Sequence, residues 1–246
     1  MAISKPARAA AGGLAGLLTI AVFMLYPLAR TADAPMKLLP PAVDNPKATG
    51  TLQTAVLAGG CFWGVQGVFE HVRGVRRVLA GYAGGDQATA QYETVSSGAT
   101  GHAESVQISF DPAVVSFGQI LQVFFSVAHD PTQLNRQGPD SGTQYRSEIF
   151  FTDESQRQVA EAYIAQLNAS HAFAHPIVTR VEALSGFYAA EDYHQDFLIN
   201  NPSHPYIVYN DLPKIEHLQR VFPEFFRAQP VSVNASPVMV SAPVSP

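Results

Sequence analysis

The order in which two hydrophobic periods follow one another between residues 54 and 151 constrains this chain more than any other feature. Thr54-Ala55-Val56-Leu57-Ala58 is a short apolar run with the length of a buried strand. Val65, Val68, Phe69 and Val72 then recur at i, i+3, i+4 and i+7, one face of a helix that Gly74 closes. Val75–Tyr82 reads as a second strand, and a Gly-rich loop over 83–101 leads to a third, 103–110. In that third strand Val106, Ile108 and Phe110 alternate with Ser105, Gln107 and Ser109, the period of two that gives one buried face. Asp111-Pro112 turns the chain, and Ser116 with Gln119 has the spacing of a capping box for a helix carrying Ile120, Leu121, Phe124 and Phe125. After a polar loop, Ser147–Phe151 is a fourth strand. The order β-α-β-β-α-β is that of a ferredoxin-like unit, so the expected fold is α+β, a mixed sheet with layered helices. Expected C-terminal additions are a helix (154–168), a strand (177–184), a short helix (191–200) and a last helix near 214–226.

The flanks differ in character. Lys5 and Arg8 precede an uncharged run from Ala9 to Ala29, and Ala32-Asp33-Ala34 offers small residues around a cleavage point. Residues 1–34 therefore read as a signal peptide or N-terminal membrane anchor, with Lys5 and Arg8 left on the cytoplasmic side. This predicts an exported protein, periplasmic or anchored in the inner membrane and facing the periplasm. Residues 35–50 are Pro-rich and read as a linker, 51–227 as the domain, and 228–246 as a disordered tail of Ala, Val, Ser and Pro. Without residues 1–34 the chain keeps 12 basic and 19 acidic groups, a net charge of −7. No stretch forms a basic groove, which excludes nucleic-acid binding through phosphates as the main role.

With 47% hydrophobic and 14% charged residues the chain can bury a core, yet it has one cysteine, Cys61. A single thiol excludes an internal disulfide and every metal set needing two or more thiolates. Cys61 stands in Gly60-Cys61-Phe62-Trp63-Gly64, where the first strand hands over to the first helix. Unpaired N–H groups and the positive end of the helix dipole favour thiolate at such a place, so a nucleophile reactive near neutral pH is expected. A free cysteine is equally at home as a small buried hydrophobe. The flanking glycines and the aromatic pair Phe62 and Trp63 favour a nucleophile in an aromatic-walled pocket.

Glu104 shares strand parity with Val106, Ile108 and Phe110, the buried face. A carboxyl there is desolvated, which raises its pKa and suits it to act as a general acid. The same residue at a frayed strand start would face solvent and do nothing, and parity alone leaves both readings open. The polar loop 135–146 is dense in Asn, Gln, Asp and Tyr beyond what a solvated turn needs. His171 and His175 are four apart, but no further ligand lies near them, so a metal there is rejected. HExxH, GxxxxGK and GxGxxG are absent.

Gly60 to Gly64, Gly81-Tyr82-Ala83-Gly84-Gly85, Tyr92-Glu93-Thr94-Val95, Gly101-His102-Ala103-Glu104, Asn135 to Arg146, and Glu191-Asp192-Tyr193-His194 together resemble the peptide methionine sulfoxide reductases of the A type. The resemblance covers about residues 53–226. It implies reduction of methionine S-sulfoxide, free or in proteins, with no metal or organic cofactor. It implies Cys61 as nucleophile, Phe62 and Trp63 as holders of the substrate's S-methyl group, and Glu104 as proton donor to the sulfoxide oxygen. Tyr92 and Tyr145 match the two tyrosines that bind that oxygen, Asp140 the aspartate that orders the site, and His194 a substrate-side residue. The expected intermediate is a Cys61 sulfenic acid.

Many members of that family carry further cysteines near the C-terminus that resolve the sulfenic acid, and this chain has none. A thioredoxin-like protein or a small thiol is then expected as reductant. Two other classes are open on the residues: a cysteine hydrolase or acyltransferase with His102 or His194 as base, and an inactive sulfoxide-peptide binding module. The hydrolase needs a histidine at the sulfur; the reductase needs a carboxylic acid and phenols there.

Overall fold

The computed structural model describes residues 1–2, 37–45 and 49–233. Most of the predicted export segment, and the tail beyond Val233, lie outside the described residues. Among the described residues no helix is long and apolar enough to cross a membrane.

In chain order the elements are β1 (Gln53–Gly59), α1 (Phe62–Glu70), β2 (Val75–Ala83), a single turn α2 (Tyr92–Val95), β3 (Ala103–Phe110) and α3 (Phe117–Val123). A small hairpin β4 (Arg136–Gln137) and β5 (Asp140–Ser141) follows, then β6 (Ser147–Phe151), α4 (Glu154–Ala169), β7 (Arg180–Ala183), β8 (Phe187–Ala189), α5 (Phe197–Asn200) and α6 (Leu212–Val221). The main sheet has the order β7-β6-β1-β3-β2-β8. Its centre, β6-β1-β3-β2, is antiparallel throughout, which is the ferredoxin-like arrangement expected from the sequence. β7 joins parallel to β6 and β8 antiparallel to β2, so the complete sheet is mixed.

The helices cover one face of the sheet. Leu57, Val106, Ile108 and Phe110 pack with Val65 and Phe69 of α1 and Ile120 and Phe124 from the α3 region, and each large side chain so buried contributes about 1.5–3 kcal/mol. The opposite face is smaller, with Val56, Ala58, Ala83, Ala103 and Phe150. The capping box at α3 is formed: Ser116 accepts from the Gln119 N–H, and the Gln119 side chain accepts from the Ser116 N–H at 3.0 Å.

Four expectations need correction. Residues 37–45 of the expected linker are docked on the domain: Gln122 donates to the Leu38 carbonyl at 2.7 Å and Tyr163 to the Leu39 carbonyl at 2.8 Å. Asp44 accepts from the Gly118 N–H at 2.8 Å and from the Ser116 hydroxyl, placing its charge at the positive end of α3. The expected tail is likewise held through Val233, whose N–H donates to Asp196 at 3.0 Å, after Val231 donates to the Glu70 carbonyl at 2.9 Å. Pro-rich and uncharged chain resembles a linker because it spends its hydrogen bonds on other elements.

The third correction concerns 191–200, which is broken at Asp196. That residue adopts φ +54°, separating a tight turn at Asp192–His194 from α5. The strand expected at 177–184 is shortened to β7, and the chain crosses to the other sheet edge to form β8, too short for alternation to reveal it.

Candidate active site

Cys61 is the N-cap of α1, partly buried, at the point where β1 ends. Gly60 before it has φ +91°, and a Cβ there would fall 2.5 Å from the Gln137 side chain, so only glycine lets the β4–β5 hairpin close over this turn. The Leu57↔Val106 pairing of β1 with β3 brings Glu104 level with the chain that enters Cys61. Glu104 is 4% exposed and lies on the helix-facing side of the sheet, which decides between the two readings that parity left open. Its carboxyl accepts from the Phe62 N–H at 3.0 Å. Burial pushes the Glu104 pKa up to about 8, the Phe62 hydrogen bond opposing and Asp140 reinforcing the rise. At neutral pH Glu104 holds a proton.

The thiolate expected at a helix N-terminus is overturned. Burial, followed by Glu104 once it ionises and by the Asp211 carboxylate, raises the Cys61 pKa well above the usual thiol value. The Trp63 N–H bonded to the sulfur opposes this and does not outweigh it, so the resting residue is a thiol.

The aromatic wall is built from segments far apart in sequence. Phe62 is buried and tilts against Tyr82 and His194 with ring centres 5.9 and 5.0 Å apart. Trp63 stacks on Phe197 at 3.7 Å and 8°, and meets Tyr206 edge-on at 5.8 Å. The Trp63 indole N–H donates to His194 Nδ1 at 3.1 Å, so His194 is neutral with its proton on Nε2, and burial lowers its pKa accordingly. Tyr92 packs on the His194 ring at 4.6 Å. Glu191 holds this corner, accepting from the Tyr92 N–H and from the Tyr82 hydroxyl, each at 2.9 Å.

Tyr145 arrives on the polar loop, which Arg146 pins by donating to the carbonyls of Gly101, His102 and Thr143 at 2.9–3.1 Å. The Tyr145 phenol is held protonated chiefly by burial, and Glu104, Asp140 and Cys61 reinforce this wherever they are ionised. Asp140, on β5, accepts a hydrogen bond from the Tyr206 hydroxyl. All eight residues named from the sequence, Cys61, Phe62, Trp63, Tyr92, Glu104, Asp140, Tyr145 and His194, belong to this one region. Sequence reasoning missed Phe197, Tyr206 and Asp211, and of their segment only the Glu191–His194 motif was noticed.

The titratable groups that act on the Cys61 thiol are the carboxyls of Glu104, Asp211 and Asp140, and the phenols of Tyr145 and Tyr206 feel its charge in turn. His102 Nε2 is engaged by the Asp86 carbonyl at 3.0 Å and His194 Nδ1 by Trp63. Among the described residues no hydrogen bond joins a histidine to this thiol, the contact that an acyl-transfer base would make.

The family model for peptide methionine sulfoxide reductase matches residues 53–225. "Peptide methionine sulfoxide reductase MsrA 2" of Mesorhizobium japonicum is 58% identical over 191 residues, 78% of this chain and 97% of that protein. Its namesake in Synechocystis is 50% identical over 214 residues, covering 86% of this chain and 99% of that one. Among solved structures, Mxr1 of Saccharomyces cerevisiae in reduced form is similar at a TM-score of 0.56 with 30% identity, over 65% of this chain and 94% of that one. Methionine sulfoxide reductase A of Corynebacterium diphtheriae gives 0.54 with 33% identity, over 69% and 89%. The family, the α+β fold and the activity expected from the sequence agree with these likenesses. This chain belongs to the peptide methionine sulfoxide reductase family, and is a peptide-methionine (S)-S-oxide reductase that reduces methionine sulfoxide in the repair of oxidised proteins.

Proposed function

We propose that Cys61 performs this reduction through a sulfenic acid, with Glu104 as the proton donor and with a second molecule completing the cycle. The observation that carries the reading is the buried carboxylic acid of Glu104 beside the thiol, protonated at neutral pH. Sulfoxide sulfur is a poor electrophile until its oxygen is protonated. Glu104 supplies that proton, and the phenols of Tyr92 and Tyr145 donate hydrogen bonds where charge develops on oxygen. Phe62, Trp63 and Phe197 form the apolar wall against which the substrate methyl group packs.

The Cys61 sulfur attacks the substrate sulfur, the substrate S–O bond breaks, and the hydroxyl ends on Sγ. Two electrons pass from Cys61 to the substrate, methionine leaves, and Cys61 is sulfenic acid. With one cysteine in the chain, no internal disulfide can form. An external thiol condenses with the sulfenic acid, releasing water and forming a mixed disulfide, and a second thiol returns Cys61 to the thiol with a disulfide as by-product. The reductant class is a thioredoxin-like dithiol protein or a small thiol. The run 9–29 behind Lys5 and Arg8 supports export, so that this partner works on the far side of the membrane. Fusing residues 1–34 to a reporter active only outside the cytoplasm tests export. For the chemistry, Cys61→Ser with a dithiol and a methionine-S-sulfoxide peptide is expected to yield no methionine; a yield at wild-type rate overturns the assignment.

A further inference from the structure

Two groups in the resting site hold protons that the reaction must move. Glu104 spends its proton on the sulfoxide oxygen, so it cannot also receive the thiol proton of Cys61 before attack. Another base is required, and most nearby candidates are occupied. His194 Nδ1 takes the Trp63 indole N–H, Asp140 takes the Tyr206 hydroxyl, and the Tyr145 and Tyr206 phenols are kept protonated by burial.

Asp211 differs. It is fully buried at the head of α6, with Oδ1 accepting from Lys214 Nζ at 3.0 Å and Oδ2 without a hydrogen-bond partner among the described residues. A buried carboxylate oxygen left unsatisfied is costly, and such an oxygen beside a reactive group needs a reason. Its position supplies one. Gly64 is the third helical residue after the Cys61 N-cap, and a Cβ there would lie 2.7 Å from the Asp211 carboxyl carbon and 2.8 Å from Lys214 Nζ. In a capping box the side chain of this third residue reaches back to the N-cap. Gly64 has no side chain, and the carboxylate of Asp211, 147 positions further along the chain, packs against it through Oδ1, three residues from Cys61. Its charge acts on the Cys61 thiol.

We propose that Asp211 accepts the Cys61 thiol proton as the substrate is attacked. The proposal rests on the sulfenic acid reading above. The balance is complete: the S–H bond of Cys61 breaks and its proton goes to Asp211 Oδ2, while the Glu104 proton goes to the transferred oxygen. After methionine leaves, protonated Asp211 and ionised Glu104 exchange one proton through solvent, restoring both. The charged and titratable groups facing Asp211 are Lys214 on α6, Tyr206 on the preceding turn, Asp140 on β5 and Cys61 on α1. Burial raises the Asp211 pKa against the pull of Lys214, making it a better base than a surface carboxylate.

The test is the pH profile of methionine release in a single turnover of the full chain with methionine-S-sulfoxide. The wild-type rate is expected to be level across neutral pH and to fall above about 8, where Glu104 ionises. Asp211→Asn keeps the shape and an acceptor for Lys214. Its rate near pH 6.5 should drop by about 100-fold and climb tenfold per pH unit toward 8, because only the thiolate already formed can attack. A level Asp211→Asn profile overturns the proposal. Should that variant fail to fold, Lys214→Met carries the test: the wild-type rate falls on acidification as Asp211 takes up a proton, removing the cation moves that fall to higher pH, and an unmoved fall overturns the assignment. Methionine release that survives Cys61→Ser would instead break the underlying reading.

Discussion

The Phe62 backbone N–H and the Glu104 carboxyl meet at 3.0 Å across 42 residues, so the residue after the cysteine holds the acid that serves it. The bond fixes where the proton is presented and opposes the rise in the Glu104 pKa that burial causes. The acid is positioned by the same helical turn as the nucleophile.

Glu104→Gln preserves this hydrogen bond and removes the proton. Methionine release should fall by about 100-fold or more. Stability should move the other way. Unfolded Glu104 ionises near its ordinary value, whereas the folded acid holds its proton to about pH 8, so the native state loses stability as pH rises across that window. At pH 8 the glutamine variant should therefore unfold with about 2–4 kcal/mol more free energy than wild type, and at pH 4 with little difference. Urea titrations at the two pH values measure it; equal stability at both would remove the buried-acid account.

For the wild-type enzyme, kcat/KM is expected to decline above pH about 8, as Glu104 loses its proton. A thiolate-limited enzyme would rise through the same range. A profile of the single-turnover rate from pH 6 to 10, measured without added dithiol, separates the two.

Much of the frame was legible because it obeys local periodicity. Val106, Ile108 and Phe110 gave the strand and raised a buried Glu104 as one of two readings, which its 4% exposure in the structure decides. The Ser116–Gln119 spacing gave the head of α3. Phe197, Tyr206 and Asp211 were hidden because they reach the site from a broken helix and from the π-helical stretch Ile207–Asp211, with Tyr206 as its N-cap, that leads into α6, where the 3.6-residue repeat does not mark which side chain faces inward. The charge state of Cys61 was misread for a related reason: the helix end is visible in sequence, while the burial and the distant carboxylates that oppose it are not.

Trp63→Ala removes the stack on Phe197 and the indole bond to His194. KM for methionine sulfoxide should rise about tenfold. The stability loss should fall below the 3–5 kcal/mol typical of a fully buried tryptophan, since Trp63 is only partly buried. Measuring KM and unfolding free energy on the same preparation decides it; a full core-sized loss with unchanged KM would make Trp63 structural.

Gly64→Ala forces a methyl group into the Asp211 carboxylate. A loss of about 1–3 kcal/mol is expected. Asp211→Ala made in the Gly64→Ala background should recover part of it, giving a favourable coupling in a double-mutant cycle. Strict additivity of the two substitutions would contradict the close approach.

The central claim is that one thiol does the chemistry and keeps the oxygen. Full-length protein, reduced and freed of small thiols, is mixed with excess methionine-S-sulfoxide; released methionine, free thiol and intact mass are then measured. The account predicts one methionine per chain, a protein heavier by one oxygen atom at Cys61, no titratable thiol, and complete restoration by a dithiol. Methionine released while Cys61 remains unmodified and fully titratable would contradict it, as would no methionine at all.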